Sequence, residues 1–164
     1  MADQPRQLDL TSHSPGQTRR LGQRLGELLG PGDVVLLEGE FGAGKTVFAQ
    51  GVAAGLGVAE YVTSPSFTMV NEHRGRGGLP LYHVDLYRVE SAQEAVDLGL
   101  LDIMGGEGVC LIEWAERARE LAGDDYLQVQ FTGAGVNRRR LRFSAVGRRS
   151  TALLARYAAA VVGP

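Results

Sequence analysis

The sequence has 164 residues, an ordinary globular composition and a formal net charge of −2. A chain of this length builds one domain with its own hydrophobic core, so we predict a single domain over residues 1–164, with residues 1–6 frayed. The slight negative charge excludes a general attraction to nucleic acid, and no apolar run is long enough to span a bilayer.

The amino terminus and the single cysteine bear on location and redox chemistry. The first five residues lack the basic and apolar segments of a secretion signal, which favours a cytoplasmic protein. Cys110 is the only cysteine, so no internal disulfide is expected. It lies inside the apolar run Val109–Ile112, where a buried and unreactive thiol is the commoner role.

In chain order, the pattern first predicts a short strand at Gln7–Leu10 and a helix that begins after Ser14. The helix start has a serine cap followed by proline and, three residues after the cap, glutamine. Leucines spaced along one helix face continue until a turn at residues 30–33. A buried strand at Val34–Leu37 follows, then a glycine-rich loop and a helix that ends near residues 55–57.

The rest of the chain alternates between strands and helices. Strands are predicted at Phe67–Glu72, Leu81–Leu86, Val109–Trp114, Tyr126–Phe131 and Arg140–Ala145, the last two forming an antiparallel hairpin. Helices are predicted from Ser91 to about Leu98, from about Ala115 to Leu121, and from about Ser150 to Val161. The glycine-rich turn at residues 75–78 is expected to be mobile. This order predicts one α/β domain whose sheet is partly parallel and partly antiparallel.

The stretch GEFGAGKT matches the phosphate-loop spacing G-x-x-x-x-G-K-[ST] and lies between a strand and a helix. Its backbone N–H groups and the following helix start are suited to phosphate oxygens. Lys45 is the only lysine among 17 basic residues, and a compact ammonium fits between phosphates better than a guanidinium does. The residues expected to surround the phosphates are Gly39, Glu40, Phe41, Gly42, Ala43, Gly44, Lys45 and Thr46. The sequence therefore predicts a nucleoside triphosphate site rather than a plain turn.

Three oxygen-bearing side chains are candidates for a Mg²⁺ site beside that loop. The Thr46 hydroxyl is the usual phosphate-loop ligand, and Glu113 and Asp85 each end an apolar strand. Such strand ends are where the sites of α/β sheets form. Each acid could instead have a purely structural role, since Glu113 could be a surface residue that caps the next helix and Asp85 could belong to a turn.

The hydroxyl-rich segment Thr63–Phe67, read TSPSF, follows the loop helix. Nucleotide switches place a segment that senses the γ-phosphate at this point, so Ser64 and Ser66 are candidate switch residues. A turn fixed by the proline is the alternative.

The motifs GEFGAGKT, TSPSF, YHVDLYR and CLIEWAE, taken together and in this order, resemble the TsaE (YjeE) family. That family comprises small ATPases of bacterial tRNA threonylcarbamoyladenosine biosynthesis, and the resemblance covers about residues 14–147. It implies a three-layer P-loop NTPase-like fold, ATP and Mg²⁺ as cofactors, and the TsaB and TsaD proteins as partners. In that picture ATP hydrolysis resets the partner complex between rounds, and tRNA is met only through the complex.

The resemblance also assigns roles to individual residues. It implies Thr46 and Glu113 as Mg²⁺ ligands, with Asp85 close to the metal and the γ-phosphate, so that Lys45, Asp85 and Glu113 form the catalytic group. Trp114 would lie near the nucleotide, and Thr18 and Arg139 would border it from the first helix and the late hairpin. Ser66 stands where the family usually has threonine, which keeps the hydroxyl.

Two other functions remain open at this level. A small-molecule P-loop kinase would need arginines that close over the phosphates, and Arg74 and Arg76 are the candidates. A nucleotide switch that does not hydrolyse would need only the loop. A GTPase is disfavoured, because an Asn-Lys-x-Asp guanine reader needs a second lysine.

Several basic and imidazole side chains have no assigned role. The cluster from Arg138 to Arg140 could contact tRNA or an acidic partner, although outward arginines on a hairpin are the commoner case. His13 and His73 are expected at the surface. His83 lies two residues before Asp85 and therefore faces the same side of its strand, where it either borders the site or is held by hydrogen bonds in the packing of the strand.

Overall fold

A computed structural model of the chain describes residues 6–40, 42–60, 62–63, 65, 69–133 and 135–162. Its strands are β1 (Gln7–Ser12), β2 (Val34–Glu38), β3 (Val70–Arg74), β4 (Pro80–Asp85), β5 (Val109–Glu113), β6 (Tyr126–Gly133) and β7 (Arg139–Val146). Its helices are α1 (Pro15–Gly26), α2 (Lys45–Gly55), α3 (Ala92–Asp97), α4 (Leu100–Met104) and α5 (Arg148–Val162). None of the helices in these ranges is both long and apolar enough to cross a membrane.

The strands form one sheet in the order β1-β7-β6-β2-β5-β4-β3. The pairs β6–β2, β2–β5 and β5–β4 are parallel, so four central strands run in one direction. The outer pairs β1–β7, β7–β6 and β4–β3 are antiparallel. The predicted mixed sheet is confirmed.

Helices cover both faces of this sheet, which confirms the three-layer α/β prediction. In β2, Val35 and Leu37 join the core beneath α1, α2 and α5, whereas Val34 and Leu36 join the core beneath α3 and α4. All five residues of β2 are buried, and so are all five of β5. A parallel strand covered on both sides needs apolar residues throughout, which explains the continuous runs in the sequence.

The first two helices touch backbone to backbone through glycines. A methyl group at Gly22 would lie 2.2 Å from the Phe48 carbonyl oxygen, and one at Gly51 would lie 2.0 Å from the Arg19 carbonyl oxygen. Gly26 and Gly55 show the same close approach, at 2.2 and 2.1 Å. This contact fixes the amino-terminal turn of α1 beside the start of α2, where the phosphate loop ends.

Both predicted serine caps are present. The Ser14 hydroxyl accepts a hydrogen bond from the Gln17 backbone N–H at 3.1 Å, and the Ser91 hydroxyl accepts one from Glu94 at 3.2 Å. These bonds satisfy backbone donors that would otherwise lack a partner at a helix start.

One prediction on the path of the chain was wrong, and another is tested only in part. The helix expected at residues 115–121 is two 3-10 turns, Ala115–Arg117 and Arg119–Leu121, and a separate helix, α4, occupies part of the region left unassigned. Ala118 lies between the two turns and has φ −148° and ψ 36°. These are not helical backbone angles, so the two turns do not join into one helix. Strand β3 starts at Val70, and residues 67 and 68 of the predicted strand lie outside the described part of the chain.

The turn at residues 75–78, expected to be mobile, is anchored by one side chain. The Arg76 guanidinium donates to the carbonyl oxygens of Leu29 at 2.6 Å and Gly55 at 3.1 Å. It also reaches Gly26 at 3.3 Å, so it caps the carboxyl ends of both α1 and α2. Arg76 is therefore at the opposite end of α2 from the phosphate loop.

Candidate functional site

The glycine-rich loop connects β2 to α2 through three residues with positive φ. Gly39, Gly42 and Gly44 have φ of 147°, 74° and 101°, values that L residues with a side chain rarely adopt. Gly39 is also packed against β6, because a Cβ there would lie 2.8 Å from the Phe131 carbonyl oxygen. The loop leads directly into α2, whose amino-terminal end carries the partial positive charge of the helix.

The Lys45 ammonium is enclosed by the loop and by Trp114. It donates a hydrogen bond to the Gly39 carbonyl oxygen and lies 3.3 Å from the centre of the indole ring. Burial lowers the pKa of Lys45, whereas the nearby carboxylates of Glu116, Glu113 and Asp85 raise it. The side chain is thus held inside the pocket, next to three carboxylates.

Trp114 reaches this position through an unusual backbone conformation. It follows the last residue of β5 and has φ 58°, which is rare for a bulky residue. Its ring also lies 5.0 Å from the ring of Tyr87, centre to centre. Backbone conformations of this kind concentrate at functional sites.

Asp85 and Glu113 lie side by side at the carboxyl ends of two parallel strands. They are direct partners in the β4–β5 register, and both are buried, with 4% and 2% of their surface exposed. Glu113 Oε1 accepts a hydrogen bond from the Thr46 hydroxyl at 3.2 Å. Asp85 Oδ1 accepts one from the Tyr87 backbone N–H at 2.8 Å. The structure therefore brings together the three oxygen donors that the sequence predicted.

These residues share one cavity of about 230 Å³. Its lining consists of Gly42, Ala43, Gly44, Lys45, Thr46, Val47, Asp85, Tyr87, Glu113 and Trp114. One wall is the glycine loop and the start of α2, and the other is the carboxyl edge of the sheet.

The chemistry of this donor set fits Mg²⁺ with a phosphate ligand. Mg²⁺ prefers hard oxygen donors and is commonly held by one or two carboxylates together with substrate phosphates. Within the described ranges, no group of three or more His, Cys, Asp or Glu side chains could hold a metal ion. The oxygen donors present here are Thr46, Glu113 and Asp85, which would hold Mg²⁺ only together with a bound phosphate, and Lys45 would offset the charge.

Thr18 and Arg139 border the loop from the opposite side. The Arg139 guanidinium donates to the Gly42 carbonyl oxygen from both Nε and one terminal nitrogen, at 3.2 and 2.8 Å. Thr18 is buried, and its hydroxyl lies 2.6 Å from that of Ser12. Both residues line a small cleft with Gly42 and Gly44.

Three predicted site residues lie outside the described part of the chain: Phe41, Ser64 and Ser66. Glu40 is described and exposed, and its carbonyl oxygen accepts a hydrogen bond from the Ala43 N–H at 3.2 Å.

The remaining candidates lie outside the cavity. His73 is half-buried rather than exposed, and it lies 2.5 Å from the Glu60 carboxylate. Arg74 pairs with Glu72 at 2.8 Å, and Arg76 caps helix ends, so neither closes over the loop. Arg138 and Arg140 are exposed.

Sequence reasoning missed Tyr87 and left His83 undecided. Tyr87 lines the cavity that contains Lys45 and Thr46, and His83 Nε2 lies 2.5 Å from Glu113 Oε2. The usable signal was position, because both residues lie within two residues of Asp85 on the same strand and its exit.

Comparison with known proteins gives a consistent result. A family model described as threonylcarbamoyl adenosine biosynthesis protein TsaE matches residues 12–141. The Bacillus subtilis tRNA threonylcarbamoyladenosine biosynthesis protein TsaE is 43% identical over 144 residues, 88% of this chain and 89% of that protein. The Treponema pallidum protein of the same name is 47% identical over 106 residues, 65% of this chain and 77% of its own. The crystal structure of Bacillus subtilis YdiB superposes with a TM-score of 0.81 at 37% identity, covering 96% of this chain and 97% of that one.

Proposed function

Because this chain belongs to the TsaE family of threonylcarbamoyl adenosine biosynthesis proteins, we propose that it is a Mg²⁺-dependent ATPase in that pathway. The observation that carries the proposal is the juxtaposition of Lys45, Thr46, Asp85 and Glu113 around one cavity beside a phosphate loop. Binding, charge neutralisation and metal coordination all have a residue there.

Each residue has a distinct role in this proposal. The Lys45 ammonium exchanges its bond to the Gly39 carbonyl for the β- and γ-phosphate oxygens. Thr46 and Glu113 would hold Mg²⁺, and Asp85 would supply a further carboxylate from the neighbouring strand. When bound, Mg²⁺ neutralises charge that develops on the phosphate oxygens. Trp114 and Tyr87 form the wall of the pocket beside Lys45.

The partners and the step are proposed from the family resemblance. The chain acts with TsaB and TsaD, and its hydrolysis of ATP resets their complex between rounds of tRNA modification. The protein works in the cytoplasm and meets tRNA through the complex. Hydrolysis is slow in the isolated chain and faster with both partners.

The kinase alternative loses its support in this fold. Arg74 and Arg76 were the residues proposed to close over the phosphates, and Arg76 instead binds the carboxyl ends of α1 and α2. The other alternative, a nucleotide switch that does not hydrolyse ATP, is distinguished from the ATPase only by a measurement of ATP turnover.

The test is Mg²⁺-dependent release of phosphate from ATP by the purified chain, with and without TsaB and TsaD. Lys45→Ala should abolish nucleotide binding, because it removes the positive charge from the phosphate loop. Glu113→Ala should keep nucleotide binding and lose turnover. Wild-type turnover in Glu113→Ala would show that the metal assignment is wrong, and equal rates with and without partners would contradict partner stimulation.

A further inference from the structure

One buried histidine contacts a residue of the proposed metal site from outside the cavity. His83 lies in β4, paired with Asn71 of β3 and Leu111 of β5, and its side chain is fully buried. Its Nε2 is 2.5 Å from Glu113 Oε2, whereas its Nδ1 has no hydrogen-bond partner among the described residues. The side chain does not line the cavity itself.

The Glu113 carboxylate is consequently held at both oxygens. Oε1 accepts from the Thr46 hydroxyl at 3.2 Å, and Oε2 receives the imidazole contact. A carboxylate oxygen accepts hydrogen bonds, so we assign the donor role in this contact to the His83 Nε2–H. Two donors on opposite oxygens fix the rotation of the carboxylate and leave each oxygen a lone pair for a further ligand.

We propose that His83 is a positioning residue that aims the Glu113 carboxylate at the Mg²⁺ held with Thr46. The inference rests on the proposed function, because it concerns the metal of that same site. His83 would touch neither the nucleotide nor the ion, and would act only through Glu113. Partners of this kind, one bond removed from the metal, orient the ligand and typically change metal affinity when they are replaced.

A role confined to core packing does not account for the choice of histidine. An apolar side chain would fill the interior of β4 without burying two polar nitrogens, one of which lacks a partner in the described structure. Burying an unpaired polar group costs free energy. The contact between the other nitrogen and Glu113 offsets part of that cost.

The experiment is a Mg²⁺ titration of the protein–ATP complex, followed by the fluorescence of Trp114, the only tryptophan. His83→Leu should raise the apparent Mg²⁺ dissociation constant about 10- to 100-fold. Its affinity for ATP without Mg²⁺ should stay close to that of the wild type. His83→Gln, which can place an amide N–H near the original Nε2 position, should restore much of the Mg²⁺ affinity.

His73 provides a matched control on the neighbouring strand. It also lies 2.5 Å from a glutamate, Glu60, and its other ring nitrogen also lacks a partner in the described structure, but Glu60 is largely exposed and outside the cavity. His73→Leu should leave the Mg²⁺ constant unchanged. An unchanged constant in His83→Leu, or an equal shift in His73→Leu, would overturn the proposal.

Two further outcomes are separable. If His83→Leu does not fold, His83→Gln is compared with His83→Asn. The shorter amide of asparagine cannot reach Glu113, so equal Mg²⁺ dissociation constants for the two variants would refute the positioning role. If the wild type itself shows no Mg²⁺-dependent nucleotide binding, the proposed function fails and the role of His83 falls with it. Intact wild-type binding together with an unaffected His83→Leu removes only the role of His83.

Discussion

At the scale of single residues, the site depends on where a few polar atoms are held. The Lys45 ammonium is bound to the Gly39 carbonyl and faces the Trp114 ring, so it already lies inside the phosphate loop. A charge that is already in the loop has only to exchange one hydrogen-bond partner when phosphate binds, which keeps the reorganisation small and favours affinity. The Thr46 and Glu113 oxygens are fixed in the same way by their mutual hydrogen bond.

Arg139 allows this idea to be tested outside the metal site. Its guanidinium holds the Gly42 carbonyl, and so fixes the middle of the phosphate loop. Arg139→Ala should weaken ATP binding about tenfold, corresponding to about 1.4 kcal/mol for loss of a charged hydrogen-bond donor. Calorimetric titration with ATP measures the effect.

The adjacent Arg138 is the control for Arg139. It is exposed, and its side chain makes no hydrogen bond or ion pair within the residues described. Arg138→Ala removes the same charge from the same hairpin and should leave ATP affinity nearly unchanged. Equal losses in the two variants would mean that net charge, and not the contact with Gly42, governs binding.

Much of the residue-level site was predictable from sequence. Phosphate-loop spacing located Lys45 and Thr46, and the rule that sites form at the carboxyl ends of parallel strands located Asp85 and Glu113. The His83–Glu113 contact was not predictable, because it depends on β4 and β5 being neighbours in the sheet, and the order of the strands in the sheet is not contained in the sequence pattern. Sequence periodicity gives the face of a strand but not its neighbour.

At the scale of elements, α1 and α2 behave as a closely joined pair. Their four glycines allow backbone contact, so the position of α1 is set by α2 and not by side-chain packing alone. Thr18 on α1 is thereby held near Gly44, whose added Cβ would lie 3.6 Å from the Thr18 methyl group. The contact between the two helices therefore fixes the position of the first turn of α1 relative to the phosphate loop.

A substitution at Gly51 tests the importance of this contact. Its Cβ would lie 2.0 Å from the Arg19 carbonyl oxygen, and backbone cannot move aside as a flexible side chain can. Gly51→Ala should lower the free energy of unfolding by about 3 kcal/mol, the upper part of the usual range for overpacking. Denaturation in urea measures the change.

Gly16→Ala in the first turn of α1 should have the opposite sign. A Cβ there meets only the Arg20 side chain at 3.6 Å and the Ser14 hydroxyl oxygen at 3.9 Å, which are ordinary contacts. Alanine should therefore stabilise the helix by about 0.5–1 kcal/mol relative to glycine. If Gly51→Ala were as stable as the wild type, the helices could separate at little cost.

The elements that prediction missed are short or depend on distant contacts. The two serine caps were identified because their signal is local. The turns at 115–121 contain helix-forming residues, yet the chain must stay close to the sheet edge, where Ala115 and Ala118 are buried against β2 and its neighbours. The spacing G-x-x-x-G in both α1 and α2 was visible in the sequence and is the signal that would have predicted their close packing.

At the scale of the whole molecule, the candidate site and the most deeply buried part of the core lie in different parts of the sheet. The polar residues collect at the carboxyl edge of β4 and β5, while the centres of β2 and β5 are buried on both faces. Substitutions at the edge should therefore alter binding more than stability, and those at the centre the reverse.

Cys110 reports on that protected interior. It lies in β5 between β2 and β4, and burial raises the pKa of its thiol to about 12. At pH 8 the native thiol is fully protonated and should react with Ellman's reagent only when the strand opens, so labelling should follow global unfolding. Denatured protein, whose thiol has an ordinary pKa, should react at once. Rapid labelling of the native protein would mean that β5 opens locally.

The same shift has a consequence for stability at high pH. The folded-state pKa of Cys110 lies above that of the unfolded chain, so the contribution of this group is fully present below the unfolded pKa. It is lost progressively as the pH rises from the unfolded value towards about 12. Urea midpoints measured across that interval should fall, and Cys110→Ala should reduce the fall.

The glycine contact between α1 and α2 also constrains the gene that encodes them. Every glycine codon begins GG, and any single-base change in its first two positions either adds a Cβ to the residue or creates a stop codon. Gly22, Gly26, Gly51 and Gly55 have no room for that atom, since each would meet backbone at 2.0–2.2 Å. Because an added Cβ at these positions destabilises the fold, variation at these four codons should be concentrated at synonymous third bases, which population sequencing would show.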